Sequence, residues 1–228
     1  MELDERKKNL LELVVENHVK NSEPVGSTFL VEAEDLDVSG ATVRNDMQEL
    51  EESGLISQPH TSAGRVPTEE GYRFYVENMM KPQEPSSDKK EELQGFFNSN
   101  DIQKESLKET ARMAAEDISA AVIVAFDQNN VYYTGLSKLF SQPEFQDYDY
   151  TLHVSQIFDH CEEQIPTIEK ILEGELDVLI GSENPLGGNC SLVASRIDKR
   201  VIFMVLGPVR MNYSKAVGFN DYLLSLTK

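Results

Sequence analysis

Residues 38–54 read VSGATVRNDMQELEESG, and this stretch decides the fold of the N-terminal part of the chain. Ser39 suits the start of a helix, because its hydroxyl can accept a hydrogen bond from an unpaired amide of the first turn. Gly54 can adopt the left-handed conformation that ends a helix. Val43, Met47 and Leu50 follow the i, i+4, i+7 spacing of one narrow apolar face. The pattern predicts a short helix with one buried face.

The opposite face of this helix is polar. At about 100° per residue it carries Ala41, Asn45 and Gln48, with Thr42 and Arg44 beside them. Asn and Gln side chains can bind adenine through two hydrogen bonds, and Arg can bind guanine or phosphate. A solvated surface helix has the same composition, so the neighbouring elements must decide between the two interpretations.

The preceding segment predicts a helix-turn-helix. An amphipathic helix over residues 4–20 is followed by a turn at 21–26, which contains proline and glycine. Ser27 is expected to cap a second short helix that ends near Ala33 and directs Phe29 inward. Residues 35–38 are predicted to connect it tightly to the polar-faced helix. Two short helices, a turn and a third helix with exposed amides match the helix-turn-helix pattern.

The following segment predicts the wing of a winged-helix domain. Residues 55–58 have the composition of a strand, residues 59–65 that of a polar loop, and Val66 begins the returning strand. The loop contains His60 and Arg65 and no acidic residue, in a segment that is otherwise acidic. An ordinary hairpin with a stray arginine is the alternative, and the position directly after the polar-faced helix favours the wing.

The rest of the chain predicts an α+β domain. Residues 1–80 are assigned to the winged helix-turn-helix, 81–90 to a linker because of two prolines and few apolar residues, and 91–228 to a sensor-type domain. An antiparallel sheet with helices on one face is expected. Helices are predicted at 91–117, 150–163, 166–174 and 212–226, and strands at 120–126, 131–134, 177–181, 190–197 and 201–206.

Composition excludes several classes of protein. The sequence has no run of 18 apolar residues and begins without a signal peptide, and its two cysteines lack CxxC spacing, so a cytoplasmic protein with free thiols and no membrane segment is expected. Asp plus Glu number 40 against 21 Lys plus Arg, a net charge of −19. Residues 1–80 alone carry seven Lys or Arg and 17 Asp or Glu. Any DNA contact must therefore come from locally placed cations, and non-specific affinity should be poor.

The chain lacks the patterns of an enzyme or a metalloprotein. No P-loop, GxGxxG or nucleophile–base set is present, so no catalytic residue and no cofactor is assigned. His153, His160 and Cys161 do not form a four-ligand zinc set, and no metal is expected. Glu183, Asn184, Arg196 and Arg210 could line a small-molecule pocket, but a solvated loop together with packing at the edge of the core is the favoured interpretation.

Several motifs resemble the heat-inducible transcription repressor HrcA family of bacteria. In the N-terminal part these are EPVGS at 23–27, VS followed by ATVRN at 38–45, LEE before GL at 50–55, and QPHTSAGRVPT at 58–68. In the C-terminal part they are GLS at 135–137, SQPEF at 141–145, IG with ENPL at 180–186, and LGPVRM at 206–211, followed by Tyr213. The run at 58–68 is long and unusual, so it is a specific signal.

The resemblance implies a dimeric repressor that binds an inverted repeat, the CIRCE element, upstream of chaperone operons. It implies that residues 91–228 form a GAF-like sensor and dimerisation domain. It further implies that the GroE chaperonin controls activity and that heat relieves repression. Base edges are expected to lie against Thr42, Asn45 and Gln48. Phosphate or the minor groove is expected to be contacted by Arg44, His60 and Arg65. Ser62 is assigned to the same interface. Ser27 and Ser39 are assigned to phosphate as well, although capping alone explains both. The predicted DNA-binding set is Ser27, Ser39, Thr42, Arg44, Asn45, Gln48, His60, Ser62 and Arg65.

The sequence departs from the family at one place. Family members carry an inserted domain that helps them dimerise, whereas here residues 124–126 lead through a four-residue turn directly to 131–133. Two other functions are therefore considered. One is a regulator that responds to a small ligand rather than to chaperonin, and the other is a protein-binding adaptor, which the net charge favours. The helix at 39–54, called the reading helix below, also carries the acidic residues Asp46, Glu49, Glu51 and Glu52. Its N-terminal part, Ser39–Gln48, is therefore expected to contact the bases.

Overall fold

The structure is a computed structural model that describes residues 3–33, 39–97, 103–198 and 201–228. The chain forms two compact units, Met1–Met80 and Lys81–Lys228. Both helices and strands are present, with a helical N-terminal unit and a sheet-centred second unit. The fold is α+β.

Four helices form most of the N-terminal unit: α1 (Glu5–Asn21), α2 (Ser27–Ala33), α3 (Gly40–Glu52) and α4 (Glu69–Asn78). Ser39 caps α3 as expected, because its side chain accepts a hydrogen bond from an amide of the first turn, and Asp4 and Thr68 cap α1 and α4 in the same way. Gly54 has a φ of 77°, the left-handed conformation predicted for the end of α3. The predicted connection at residues 35–38 lies outside the described residues.

The core of this unit combines the apolar faces of α1 and α3. Its fully buried side chains include Leu11, Leu30 and Leu50, together with Tyr72 of α4. The inward orientation expected for Phe29 is wrong, since this side chain is 44% exposed. Leu30 occupies a buried position of the seven-residue helix α2, and the neighbouring residue lies about 100° away around the helix.

A short hairpin follows α3. Strands β1 (Ile56–Ser57) and β2 (Val66–Pro67) pair antiparallel, and residues 58–65 form the loop between them. Val25, just before α2, forms an isolated antiparallel bridge with Arg65 and so adds a third chain segment to the hairpin. The wing predicted from the sequence is present, with strands of only two residues.

The second unit contains a five-stranded antiparallel sheet in the order β4-β3-β7-β6-β5. The strands are β3 (Ala121–Asp127), β4 (Asn130–Thr134), β5 (Leu176–Leu179), β6 (Cys190–Arg196) and β7 (Ile202–Pro208). Apolar runs place β3, β6 and β7 in the interior of the sheet. The prediction of a buried strand at 177–181 is only partly correct, because β5 is half-buried and lies at an edge.

Helices cover both faces of this sheet, so the expectation of helices on one face is wrong. Alternate residues of β3, including Ile123 and Ala125, pack with Val154 and Ile165 of helix α8 (Tyr148–Ile171). On the opposite face the ring of Phe203 stacks on Phe219 of helix α9 (Tyr213–Leu226). Interior strands β3 and β7 are buried on both sides because both of their faces are covered.

Residues 81–90 are packed against α9, where the sequence indicates a linker. The Gln83 amide donates to the Ser214 carbonyl over 2.9 Å, and the Ser214 hydroxyl donates to the Lys81 carbonyl over 2.5 Å. Residue 218 is a glycine, and a Cβ there would overlap the main chain of Gln83. Prolines and polar side chains predict a linker, but main-chain hydrogen bonds hold this segment independently of side-chain type.

The helices of the second unit differ from the predicted ones in two places. The predicted helical segment 91–117 is two helices, α5 (Ser87–Phe96) and α6 (Lys104–Ile118), and short helix α7 (Leu136–Phe140) follows β4. The two helices expected at 150–163 and 166–174 form the single helix α8, with Pro166 inside it. Pro166 removes one hydrogen bond to the carbonyl of Glu162, which is exposed and can bind water instead. Among the described residues no helix is long and apolar enough to span a membrane.

Candidate nucleic-acid interface

The exposed face of α3 carries most of the predicted base-reading side chains. Ser39 begins the helix, and its hydroxyl accepts from the Thr42 amide over 3.2 Å and lies 3.0 Å from the Thr42 hydroxyl. Asn45 and Gln48 follow on the same exposed face. The side-chain amide of Asn45 forms no hydrogen bond with any residue that the structure describes. Its NH₂ donor and its oxygen acceptor are not used within the described part of the chain.

A concavity of about 390 Å³ lies between α2, α3 and the wing. It brings together five of the nine predicted DNA-binding residues: Ser27, Arg44, Gln48, Ser62 and Arg65. Arg44 projects from α3, and its Nε donates to the Ser27 hydroxyl over 3.3 Å. Ser39, Thr42, Asn45 and His60 lie outside the lining of the concavity.

Ion pairs offset three of the four acids on α3. Asp46 is paired with Arg6, Glu49 with Lys7 at 2.5 Å, and Glu51 with Arg65 at 2.9 Å. These contacts raise the pKa of Arg6, mainly through the hydrogen bond to Asp46, and the pKa of Lys7, mainly through the hydrogen bond to Glu49. Both cations therefore stay charged, and α3 presents less negative charge than its sequence indicates.

Two predicted contact residues are engaged within the protein. Gln48 Nε2 donates to the Glu52 carboxylate over 3.0 Å, and this bond does not use the acceptor capacity of its amide oxygen. The Arg65 guanidinium donates to the Glu51 carboxylate through Nε at 3.0 Å. Sequence spacing gives no sign of the second contact, because the two residues lie in different elements.

The wing loop is held by internal hydrogen bonds. Gln58 Nε2 donates to the carbonyls of Thr61 and Ala63 over 3.1 and 2.9 Å. A side chain at Gly64 would overlap the main chain of Val25, so glycine is required there. His60 and Ser62 are exposed on the loop. Gln58 was not among the predicted site residues, and its position in the QPHTSAGR run was the signal available.

The side chains considered for other sites serve the fold of the second unit. Asn184 is buried and donates to the carbonyls of Gly187 and Cys190, Arg196 donates to the carbonyl of Glu169, and Arg210 is paired with Glu144 and Gln142. The Glu183 carboxylate accepts from the Ile180 amide. Within the described ranges no group of three or more His, Cys, Asp or Glu side chains is placed to hold a metal ion.

Comparison with protein families identifies both units. The description "DeoR-like helix-turn-helix domain" matches residues 30–68, which contain α3 and the wing. The description "HrcA protein C terminal domain" matches residues 82–217, more than half of the chain. The chain belongs to the HrcA family. The N-terminal match is to a helix-turn-helix domain.

Two proteins named "Heat-inducible transcription repressor HrcA" illustrate the similarity. The one from Moorella thermoacetica is 42% identical over 124 residues, which cover 54% of this chain and 36% of that relative. The one from Desulfitobacterium hafniense is 27% identical over 332 aligned positions, which cover 98% of this chain and 96% of that relative. The stronger local similarity thus spans about a third of the first relative's length.

This chain is a short form of the HrcA family. The second alignment has 332 positions and the chain only 228 residues, so a domain-sized part of the relative has no counterpart here. At the expected place, β3 and β4 form a tight hairpin in which the Asn129 amide donates to Asp127. A crystal structure titled "Crystal structure of a hypothetical protein at 2.2 A resolution" has the same fold, with a TM-score of 0.77, 16% identity, and coverage of 99% of this chain and 98% of that one.

Proposed function

We propose that the chain is a sequence-specific DNA-binding repressor of heat-shock genes that acts on an inverted-repeat operator of the CIRCE type. It acts by binding, without catalysis, and works in the cytoplasm, where its operator lies. The observation that carries the proposal is α3 itself. Its buried face holds it in the N-terminal unit, its exposed face presents Asn45 and Gln48, and three of its four acidic side chains are in ion pairs.

Base reading falls to the first half of α3. Asn45 offers a donor and an acceptor for adenine, and Gln48 offers its amide oxygen to a base amino group. Thr42 is half-buried and contacts the same groove through its methyl and hydroxyl groups. Each of these contacts can distinguish one base pair from another, whereas phosphate contacts only position the protein.

Phosphate contacts fall to the concavity and the wing. Arg44 and the hydroxyls of Ser27 and Ser62 line the concavity, and His60 extends from the wing loop. Ser39 adds the N-terminus of α3, where the helix dipole favours an anion. The small number of cations fits an acidic protein that reads sequence and binds non-specific DNA weakly.

A homodimer is the assembly that the inverted repeat calls for, since two-fold symmetry in the operator matches two-fold symmetry in the protein. The GroE chaperonin is the proposed regulator, by similarity to the family. Homodimer formation and control by the chaperonin are both part of the proposal. The short form is proposed to dimerise without the inserted domain.

The test is a selection of bound fragments from the source genome with the purified chain. The proposal predicts that the recovered fragments share an inverted repeat upstream of chaperone genes, with half-sites one or two helical turns apart. Heating, or withdrawal of chaperonin, is expected to release those fragments. Recovery of fragments without a common repeat would contradict the proposal.

A further inference from the structure

Arg65 occupies the junction between the wing and α3. Its amide donates to the Val25 carbonyl over 2.9 Å, and its own carbonyl accepts from the Val25 amide over 2.8 Å. Its guanidinium Nε donates to one oxygen of Glu51 over 3.0 Å, and Nη2 lies 2.9 Å from the same oxygen. The side chain is 21% exposed, and that of Glu51 is 34% exposed. Main chain and side chain are thus both engaged within the protein.

We infer that Arg65 and Glu51 are positioning residues, which fix the wing on the reading helix, and that Arg65 makes no phosphate contact. This inference rests on the proposed function, because it concerns how the DNA-binding surface is built. It revises the role predicted for Arg65 from the sequence. The phosphate-binding cation of the concavity is then Arg44.

Electrostatics favours this division of roles. If Arg65 turned to a phosphate, the Glu51 carboxylate would lose its partner at the very surface that DNA approaches. Two negative groups a few ångströms apart repel each other, and the repulsion grows when the approach of DNA displaces water. While the pair is intact, the C-terminal half of α3 carries no net charge from Glu51.

Arg44 is in the opposite situation. It is exposed, and among the described residues its one side-chain partner is the neutral hydroxyl of Ser27, at 3.3 Å. A phosphate can replace or share that hydroxyl without exposing a carboxylate. The two arginines line the same concavity, so they form a matched pair in which one is bound by a carboxylate and the other is available.

The wing has further anchors of the same kind. Gln58 binds the loop carbonyls of Thr61 and Ala63, and Gly64 allows the close approach to Val25 that the isolated bridge requires. The Glu51–Arg65 pair extends this arrangement from the wing to α3. The position of His60 and Ser62 relative to α3 thus depends on the Glu51–Arg65 pair, which involves neither side chain.

The experiment is a double-mutant cycle with Glu51→Gln, Arg65→Gln and the combined variant, and with Arg44→Gln for comparison. All three substitutions remove a charge while keeping most of the side-chain volume. Each variant is titrated with the operator duplex at several salt concentrations. The inference predicts that Glu51→Gln and Arg65→Gln each weaken binding by about tenfold with the salt slope unchanged, and that the combined variant is no weaker than either. Arg44→Gln is expected to reduce the slope by about one.

A second measurement uses the protein without DNA. Hydrogen exchange at the Val25 and Arg65 amides is expected to speed up at least tenfold in Glu51→Gln and in Arg65→Gln, with the Ser22 amide at the end of α1 as an unaffected control. Tighter binding by Glu51→Gln, together with a slope reduced by about one in Arg65→Gln, would show that Arg65 binds phosphate and overturn the inference. Unchanged exchange in both variants would also overturn it. If the unmodified chain fails to prefer its operator, the proposed function fails, and the exchange measurement still decides whether the pair positions the wing.

Discussion

The Asp46 carboxylate on α3 accepts two hydrogen bonds from the Arg6 guanidinium on α1, Nε to Oδ2 at 2.7 Å and Nη2 to Oδ1 at 2.8 Å. Asp46 is only 3% exposed and lies on the apolar face of the helix, beside Val43 and Met47. A buried carboxylate needs a charged, hydrogen-bonded partner. The pair therefore sets the rotation of the reading helix relative to α1.

Removal of Arg6 tests this role. Arg6→Ala leaves the Asp46 carboxylate buried without its partner, and we expect a loss of about 2 kcal/mol in the free energy of unfolding. The loss is smaller than for a fully buried pair because the Arg6 side chain is more than half exposed. Lys8→Ala on the same helix is the control, since its pair with Glu5 is exposed and should contribute less than about 1 kcal/mol. Equal losses in urea denaturation would contradict the prediction.

Asn45 is predicted to carry base specificity. Asn45→Ala should weaken operator binding by about 1–3 kcal/mol and leave binding to a scrambled duplex and the salt slope unchanged. Asn78→Ala, at an exposed asparagine of α4, is the matched control and should bind the operator as the unmodified chain does. The check is a competition titration with both duplexes. A uniform loss on both duplexes would instead assign Asn45 to the phosphate backbone.

Gly218 is predicted to hold the segment 81–86 on α9. In Gly218→Ala the new methyl group overlaps the main chain of Gln83, so we expect a loss of about 2–3 kcal/mol in the stability of the second unit. Gly95→Ala in α5 meets no atom within 4 Å and should raise stability by about 0.5–1 kcal/mol. Thermal unfolding of both variants checks the prediction. If Gly218→Ala unfolds at the temperature of the unmodified chain, the segment is not held in this way.

The thiols are predicted to be unreactive in the folded protein. Burial raises the pKa of Cys190 from 9.0 to about 12, and burial also raises the pKa of Cys161. Folding therefore favours the neutral thiol of Cys190. The resulting stability is fully present below pH 9 and is lost as the pH rises towards 12. Iodoacetamide at pH 8 should modify neither thiol until urea unfolds the chain.

The pH dependence itself is isolated by Cys190→Ala. The unmodified chain should lose stability relative to this variant between pH 9 and pH 11, because only the unmodified chain has the thiol to ionise. A constant difference over this pH range would mean that Cys190 ionises as easily in the folded state as in the unfolded one.

Local chemistry explains which parts of the fold were predictable. Ser39 and Gly54 mark the ends of α3 through their own side-chain and main-chain preferences, and the apolar runs of β3 and β7 identify interior strands. The winged-helix fold was predicted from the order of these helices and strands along the chain. Pro166 led to the wrong prediction of two separate helices, because a helix can continue through a proline when it loses one main-chain hydrogen bond.

Long-range contacts explain what was missed. The partner of Asp46 lies 40 residues away on α1, and no periodicity of α3 indicates it. Arg65 is a wing cation in sequence, and only the fold brings it to Glu51. The same holds for residues 81–86, whose place on α9 depends on a glycine far along the chain.

The central claim is that the chain reads an inverted repeat as a dimer. The most direct measurement is the ratio of dissociation constants for the intact repeat, for the repeat with one half-site scrambled and for a fully scrambled duplex, all at one physiological salt concentration. The account predicts that the intact repeat binds at least about 10³-fold more tightly than the scrambled duplex, with the single half-site in between. Equal dissociation constants for the three duplexes would contradict it.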